Sequence, residues 1–129
     1  MNVDNLIEEA KKARENAYVP YSEFKVGAAL LCRNGKIYTG CNIENHGIMS
    51  ICAERVAFCK ALSERERNFE AIAVIGSVDL TTPCGYCRQF MSEFADEDFK
   101  IYVIYGENFD KIKEYKIKEL LPYSFKLKM

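Results

Sequence analysis

The chain has 129 residues, 49% of them hydrophobic, enough for one packed catalytic domain over residues 1–129. Its 18 basic and 19 acidic residues leave a formal net charge of −1, without the basic surplus of a nucleic-acid binder, so a small neutral ligand is expected. No stretch approaches the roughly 20 apolar residues of a membrane helix, and the opening MNVDNLIEEAKK lacks the basic-then-apolar order of a signal peptide, so a cytoplasmic protein with no membrane partner is expected.

Residues 3–17 read as an amphipathic helix with Leu6, Ala10, Ala13 and Ala17 on one face and Asp4 as the N-cap. Tyr18 to Ser22 form a loop, because Pro20 disfavours a helical residue before it. Two β-like runs follow, Val26–Cys32 and Lys36–Asn42, joined by Arg33-Asn34-Gly35, a strong hairpin signal. Residues 52–64 read as a helix with Ala53, Val56, Ala57 and Ala61 on one side. Ala71–Gly76 is a continuous apolar run, as expected of a strand buried on both faces. Residues 85–95 read as a further helix, Ile101–Tyr105 as another buried strand, and Ile117–Leu121 before Pro122 as a short terminal helix. Strand–helix–strand alternation implies an α/β fold with a partly parallel sheet and helices on its faces.

Six cysteines are present: Cys32, Cys41, Cys52, Cys59, Cys84 and Cys87. In a chain with no secretory signal, metal binding or simple burial is favoured over a disulfide framework. Cys52-Ala53-Glu54 opens one expected helix and Pro83-Cys84-Gly85-Tyr86-Cys87 opens another. Cys84 and Cys87 are one helical turn apart and point the same way. Three thiolates with an open fourth position describe a catalytic zinc site, whereas structural zinc sites are closed. Partial positive charge at helix N-termini favours the thiolates.

Three thiolates and one Zn²⁺ sum to −1, which weakens the activation of water, so nearby cations should help. Arg55 and Arg88 each directly follow a ligand segment and are candidates for that role. Glu54 is too close to Cys52 to share its tetrahedron comfortably. It is placed to move protons between water at the metal, a ring nitrogen and a leaving amine. A non-ligand glutamate ahead of P-C-x-x-C is the signature of zinc deaminases. Alone, Cys-x-x-Cys could also be a redox pair or part of a structural zinc knuckle. Cys32, Cys41 and Cys59 are expected to be core or surface thiols, and His46, the single histidine, a solvated loop residue.

The chain resembles the small, homotetrameric cytidine deaminases over nearly its whole length. The resemblance is carried by Tyr18-Val19-Pro20-Tyr21-Ser22-Glu23-Phe24-Lys25-Val26-Gly27-Ala28-Ala29-Leu30, Gly40-Cys41-Asn42-Ile43-Glu44-Asn45, Cys52-Ala53-Glu54-Arg55, Pro83-Cys84-Gly85-Tyr86-Cys87-Arg88-Gln89 and Glu119-Leu120-Leu121-Pro122-Tyr123-Ser124-Phe125. It implies a three-layer α-β-α fold with a mixed five-stranded sheet, one zinc per subunit on Cys52, Cys84 and Cys87, and Glu54 as the catalytic proton carrier. It also implies that Phe24 packs on the pyrimidine and that Asn42 and Glu44 hold the ribose hydroxyls. Ala53 would hydrogen-bond the base through its backbone, Arg55 would donate to the thiolates, and Phe125 would help cover a neighbouring subunit's site. The activity implied is deamination of cytidine and deoxycytidine in pyrimidine salvage, in a homotetramer.

One segment departs from that pattern. Between Asn45 and Cys52 the chain reads His46-Gly47-Ile48-Met49-Ser50-Ile51, one residue shorter than the family's usual run and without its tyrosine. The short loop leaves open a shifted substrate, such as a blasticidin-like antibiotic or a modified cytidine. A zinc-stabilised binding module without turnover is a further alternative, against which Glu54 argues.

Overall fold

The computed structural model describes residues 2–47 and 50–127. Helix α1 runs Val3–Arg14, and its buried face of Leu6, Ile7, Ala10 and Ala13 follows the apolar spacing. The N-cap is Asn2 rather than Asp4: Asn2 Oδ1 accepts from the Asn5 N–H at 3.2 Å, and Asp4 lies inside the first turn. The helix ends before Ala17 because the chain tightens there, with the Ala17 N–H donating to the Arg14 carbonyl at 3.1 Å.

Strands β1 (Gly27–Cys32) and β2 (Ile37–Cys41) form the expected antiparallel hairpin, with Leu31 opposite Ile37. Its turn is built as the residues demand. Asn34 Oδ1 accepts from the Lys36 N–H at 3.0 Å, and Gly35 takes a φ of +92°. Helix α2 (Ala53–Ser63), strand β3 (Phe69–Ile75), helix α3 (Gly85–Ser92) and strand β4 (Lys100–Tyr105) follow, each within a few residues of expectation. The inward side of α2 includes Phe58, while Val56 is only half-buried.

The residue pattern did not reveal strand β5, Lys111–Tyr115, which lay in what read as a tail. It pairs antiparallel with β4 at the sheet edge, and all its residues except Tyr115 are exposed. Lysines suit an exposed edge, since they oppose pairing with another chain, and they remove the apolar signal that marks inner strands. Helix α4, Ile117–Leu120, closes the chain's regular structure.

The sheet order is β2-β1-β3-β4-β5, with β3 and β4 parallel and the other pairs antiparallel. This is the expected mixed five-stranded sheet between helices. One face packs Ala29, Ala73, Ile75 and Ile104 on Leu6, Ile7 and Ala10 of α1. The other packs Leu30, Ile72, Val74 and Val103 with Ala57 and Phe58 of α2 and Met91 of α3. Phe58 is the hub of that side, with ring centroids of Phe69, Phe90, Phe94 and Phe99 at 5.1, 6.1, 5.9 and 6.2 Å.

Helix α2 lies directly on β2 because Gly40 has no side chain. A Cβ there would meet the Ala53 carbonyl and stand 2.6 Å from the Ala57 nitrogen, both backbone atoms that cannot swing away. Gly40→Ala should therefore cost about 1–3 kcal/mol and push the start of α2 outward. Gly35→Ala meets open space and should cost only about 1 kcal/mol through its positive φ. Urea unfolding of the two variants checks the order, and a milder effect at Gly40 would contradict this packing.

Candidate metal centre and active site

Strand β1 is antiparallel to both β2 and β3, so β2 and β3 point the same way. The chain therefore leaves both at one end of the sheet, and α2 and α3 both begin there. Their N-caps are Cys52 (φ −74°, ψ 153°) and Cys84 (φ −67°, ψ 167°), and neither side chain caps its own helix. Both sulfurs are thus free to face each other, 3.6 Å apart. Cys87, buried one turn into α3, completes a group whose sulfurs all lie within 4.8 Å of one another. Tetrahedral zinc with Zn–S bonds of about 2.3 Å requires sulfurs about 3.8 Å apart, so the donor set fits that ion.

The surroundings favour negative charge on one of these sulfurs, that of Cys52. A hydrogen bond from the Cys87 thiol, aided by Arg55 and Cys84, brings the Cys52 thiol down to about 5 in spite of its burial. The same Cys52–Cys87 hydrogen bond, with burial, pushes the Cys87 thiol up, so one proton is held between the pair. Arg55 Nη2 donates to Cys52 Sγ at 3.6 Å, and its guanidinium lies 4.0 Å over the ring of Tyr86. Arg55 Nε is buried and has no acceptor among the described residues. Glu54 is 4% exposed. Burial, then the charge on Cys52, raises its carboxyl to about 7, which keeps a transferable proton available near neutral pH.

The remaining sequence-derived candidates lie at the start of α2, before β1, after β2 and after α4. Ala53 is fully buried as the first residue of α2, so its N–H has no intrahelical acceptor. Phe24 sits in the irregular segment before β1, 42% exposed, next to Glu23 with its positive φ of 59°. Asn42 ties that segment down: Oδ1 accepts from the Val26 N–H at 2.9 Å and Nδ2 donates to the Phe24 carbonyl at 2.8 Å. Glu44 accepts from the Ser22 hydroxyl and from the N–H groups of Ser22 and Tyr21 at 3.1 and 3.0 Å. The Ser22 hydroxyl, then those amides, holds the Glu44 carboxyl below its ordinary value. Phe125 is 68% exposed, and its carbonyl accepts from Gln89 Nε2 at 2.9 Å.

Arg88 does not serve the sulfurs. It lies about 100° round the helix from Cys87, and its guanidinium turns back to the Pro83 and Leu120 carbonyls, each at 2.7 Å, and to Thr82 Oγ1 at 2.8 Å. His46 is exposed, with its ring 6.3 Å from that of Tyr21. Cys32 is buried, Cys41 half-buried and Cys59 exposed. The centre of the shortened loop, Ile48 and Met49, lies outside the described residues. Its ends are joined: Ile43 and Ile51 exchange two backbone hydrogen bonds of 3.0 Å, which sets the chain's approach to Cys52. Ser22 and Tyr86 were missed in the sequence, although Ser22 lies in the Tyr18–Leu30 motif and Tyr86 between two cysteines of the cluster.

Neither of two surface cavities encloses the sulfurs. One, of about 330 Å³, lies between the start of α1 and the β1–β2 hairpin and is lined by none of Cys52, Cys84 and Cys87. The other is a groove of about 890 Å³ along α3, lined by Tyr86, Phe90, Phe94 and Phe125. The metal centre of one chain is open, with Cys84 exposed.

A family model described as the cytidine and deoxycytidylate deaminase zinc-binding region matches residues 1–103. A cytidine deaminase of Sporosarcina psychrophila is 49% identical over 97% of this chain and 92% of its own. The crystal structure of a cytidine deaminase from Burkholderia pseudomallei superposes with a TM-score of 0.90 at 42% identity, covering 97% of this chain and 100% of that one. A blasticidin-S deaminase of Bacillus cereus is more distant, 28% identical over 92% of this chain and 91% of its own.

Purified protein should carry about one zinc per chain by elemental analysis, and Cys87→Ala should lose it, since two sulfurs do not make the three-ligand site. Glu54 adds a pH signature to the metal-free protein. Its folded value of about 7 lies above the ordinary 4.5, so the folded state binds the extra proton and loses stability as pH rises through that interval. Glu54→Gln should therefore gain on the wild type between those pH values, approaching about 3 kcal/mol at the upper end. Denaturant titrations across the range test this, and a gain independent of pH would contradict a protonated, buried Glu54.

Proposed function

Because this chain belongs to the cytidine and deoxycytidylate deaminase family, we infer that it catalyses the zinc-dependent hydrolytic deamination of cytidine and deoxycytidine to uridine and deoxyuridine, releasing ammonia. The observation that carries this reading is the buried Glu54 carboxyl beside three converging cysteine sulfurs. Cys52, Cys84 and Cys87 would hold the ion, which when bound supplies the Lewis acidity that activates water. Glu54 would accept a proton from water and deliver it to the pyrimidine N3 as the oxygen adds to C4, then take the proton of the new C4 hydroxyl and pass it to the amine as the C4–N bond breaks and the carbonyl forms. Burial holds the Glu54 carboxyl above its ordinary value in the metal-free protein, which favours its carrying a proton. Arg55 steadies negative charge on Cys52.

In this reading Phe24 packs on the base, the Ala53 backbone orients it, and Asn42 and Glu44 receive the ribose hydroxyls. The side chains of Asn42 and Glu44 already hold residues 21–26, so the sugar subsite and the segment bearing Phe24 form one unit. Exposed Phe125, Tyr86 and Leu127 supply apolar surface for a neighbouring subunit in a homotetramer, in which Phe125 covers the neighbour's site. One catalytic domain acting on a free nucleoside suits a role in cytoplasmic pyrimidine salvage, and the net charge of −1 suits a neutral substrate. The blasticidin-like and non-catalytic alternatives are not favoured by the comparisons.

Ammonia release from cytidine, measured with zinc content, is the direct test. Glu54→Gln should keep zinc and lose about 10²–10⁴-fold in turnover. Retained activity in that variant would refute the proton-carrying role. Turnover of blasticidin but not cytidine would refute the substrate.

A further inference from the structure

Cys84 is an exposed N-cap that follows an irregular segment, and its side chain contributes no cap to α3. The segment that leads into it is nevertheless fixed by one side chain, that of Arg88. The Arg88 N–H donates to the Cys84 carbonyl at 2.9 Å as the ordinary first bond of α3, whereas the side-chain Arg88 Nε donates to the Pro83 carbonyl at 2.7 Å. Nη2 holds Thr82 Oγ1 at 2.8 Å, and Nη1 reaches the Leu120 carbonyl at 2.7 Å, at the end of α4. The planar guanidinium therefore joins three points that share no regular structure: residues 82–84, the first turn of α3, and α4. Charge-assisted, short and part-buried, these contacts are the strong kind of hydrogen bond. A lysine could reach one oxygen but could not reproduce the fork.

We propose that Arg88 is a positioning residue for the metal centre, holding Cys84 in the ligand set and coupling the seating of α4 to metal retention. The proposal rests on the reading of Cys52, Cys84 and Cys87 as zinc ligands. Arg88 acts through residues 82 and 83, which lead into Cys84, whereas Arg55 acts on a sulfur directly. Loss of the fork leaves the Pro83 and Leu120 carbonyls without their donor and frees residues 82–84 to carry Cys84 away from Cys52. The coupling runs both ways, so displacement of α4 weakens the hold on the metal.

The test measures zinc release to a chromogenic chelator, with sulfur-to-metal charge-transfer absorption after cobalt substitution, for the intact zinc-loaded protein and its variants. Arg88→Ala should release zinc about 10- to 100-fold faster, as expected when a group supporting a ligand is lost. Arg88→Lys should fall between, and the cobalt band of Arg88→Ala should weaken. Thr82→Val removes one acceptor and keeps the arginine, so it should release zinc several-fold faster even if Arg88→Ala does not fold. Ile104→Val, buried on the opposite face of the sheet, controls for general destabilisation: it should lower Tm and leave release unchanged. Release from Arg88→Ala or, failing its folding, from Thr82→Val within about twofold of wild type would overturn the proposal, as would an equal acceleration in Ile104→Val. A wild type that holds no zinc would overturn the ligand reading and the proposal with it.

Discussion

The site depends on the meeting of two helix starts at one end of the sheet. Cys52 and Cys84 can approach to 3.6 Å only because α2 and α3 both begin where β2 and β3 end. That arrangement follows from pairing, since β1 is antiparallel to each of those strands. The sulfurs then share the starts of two helices, and Cys52 among them is held toward the thiolate by its neighbours. Gly40 brings α2 onto β2, and with it the whole Cys52-Ala53-Glu54 segment.

Around that meeting point the structure separates charge by burial. Cys52 is held negative by its neighbours, while Glu54, two residues on, is shielded enough to keep its proton near neutral pH. The two groups influence each other, because charge on Cys52 is one of the causes that raise Glu54. Arg55 moderates this, with one face against Tyr86 and one nitrogen toward Cys52. The arginine after each ligand segment has a different task. Arg55 faces a sulfur, whereas Arg88 braces the backbone that carries one.

Much of the fold was legible because its signals are local. The Asn34-Gly35 turn, the apolar runs of β3 and β4 and the face of α1 each follow from a few adjacent residues. Strand β5 was not, since an exposed edge of alternating lysines has no burial to advertise. The cap of α1 also moved from Asp4 to Asn2, because the position of a cap depends on where the first turn closes.

The sequence by itself determined the chemistry available: three cysteines at two helix starts, with a glutamate and an arginine shortly after the first of them. These are covalent identities at fixed spacing, and spacing within one helical turn is enough to align Cys84 with Cys87. Only the tertiary structure decided the rest. It brought Cys52 to residues more than thirty positions away, buried Glu54, sent Arg88 to carbonyls rather than sulfurs and tied Glu44 to Ser22. The physical reason is the same in each case. Burial, and contact between residues distant along the chain, are properties of how strands pair and helices pack, and no local pattern of residue types contains them.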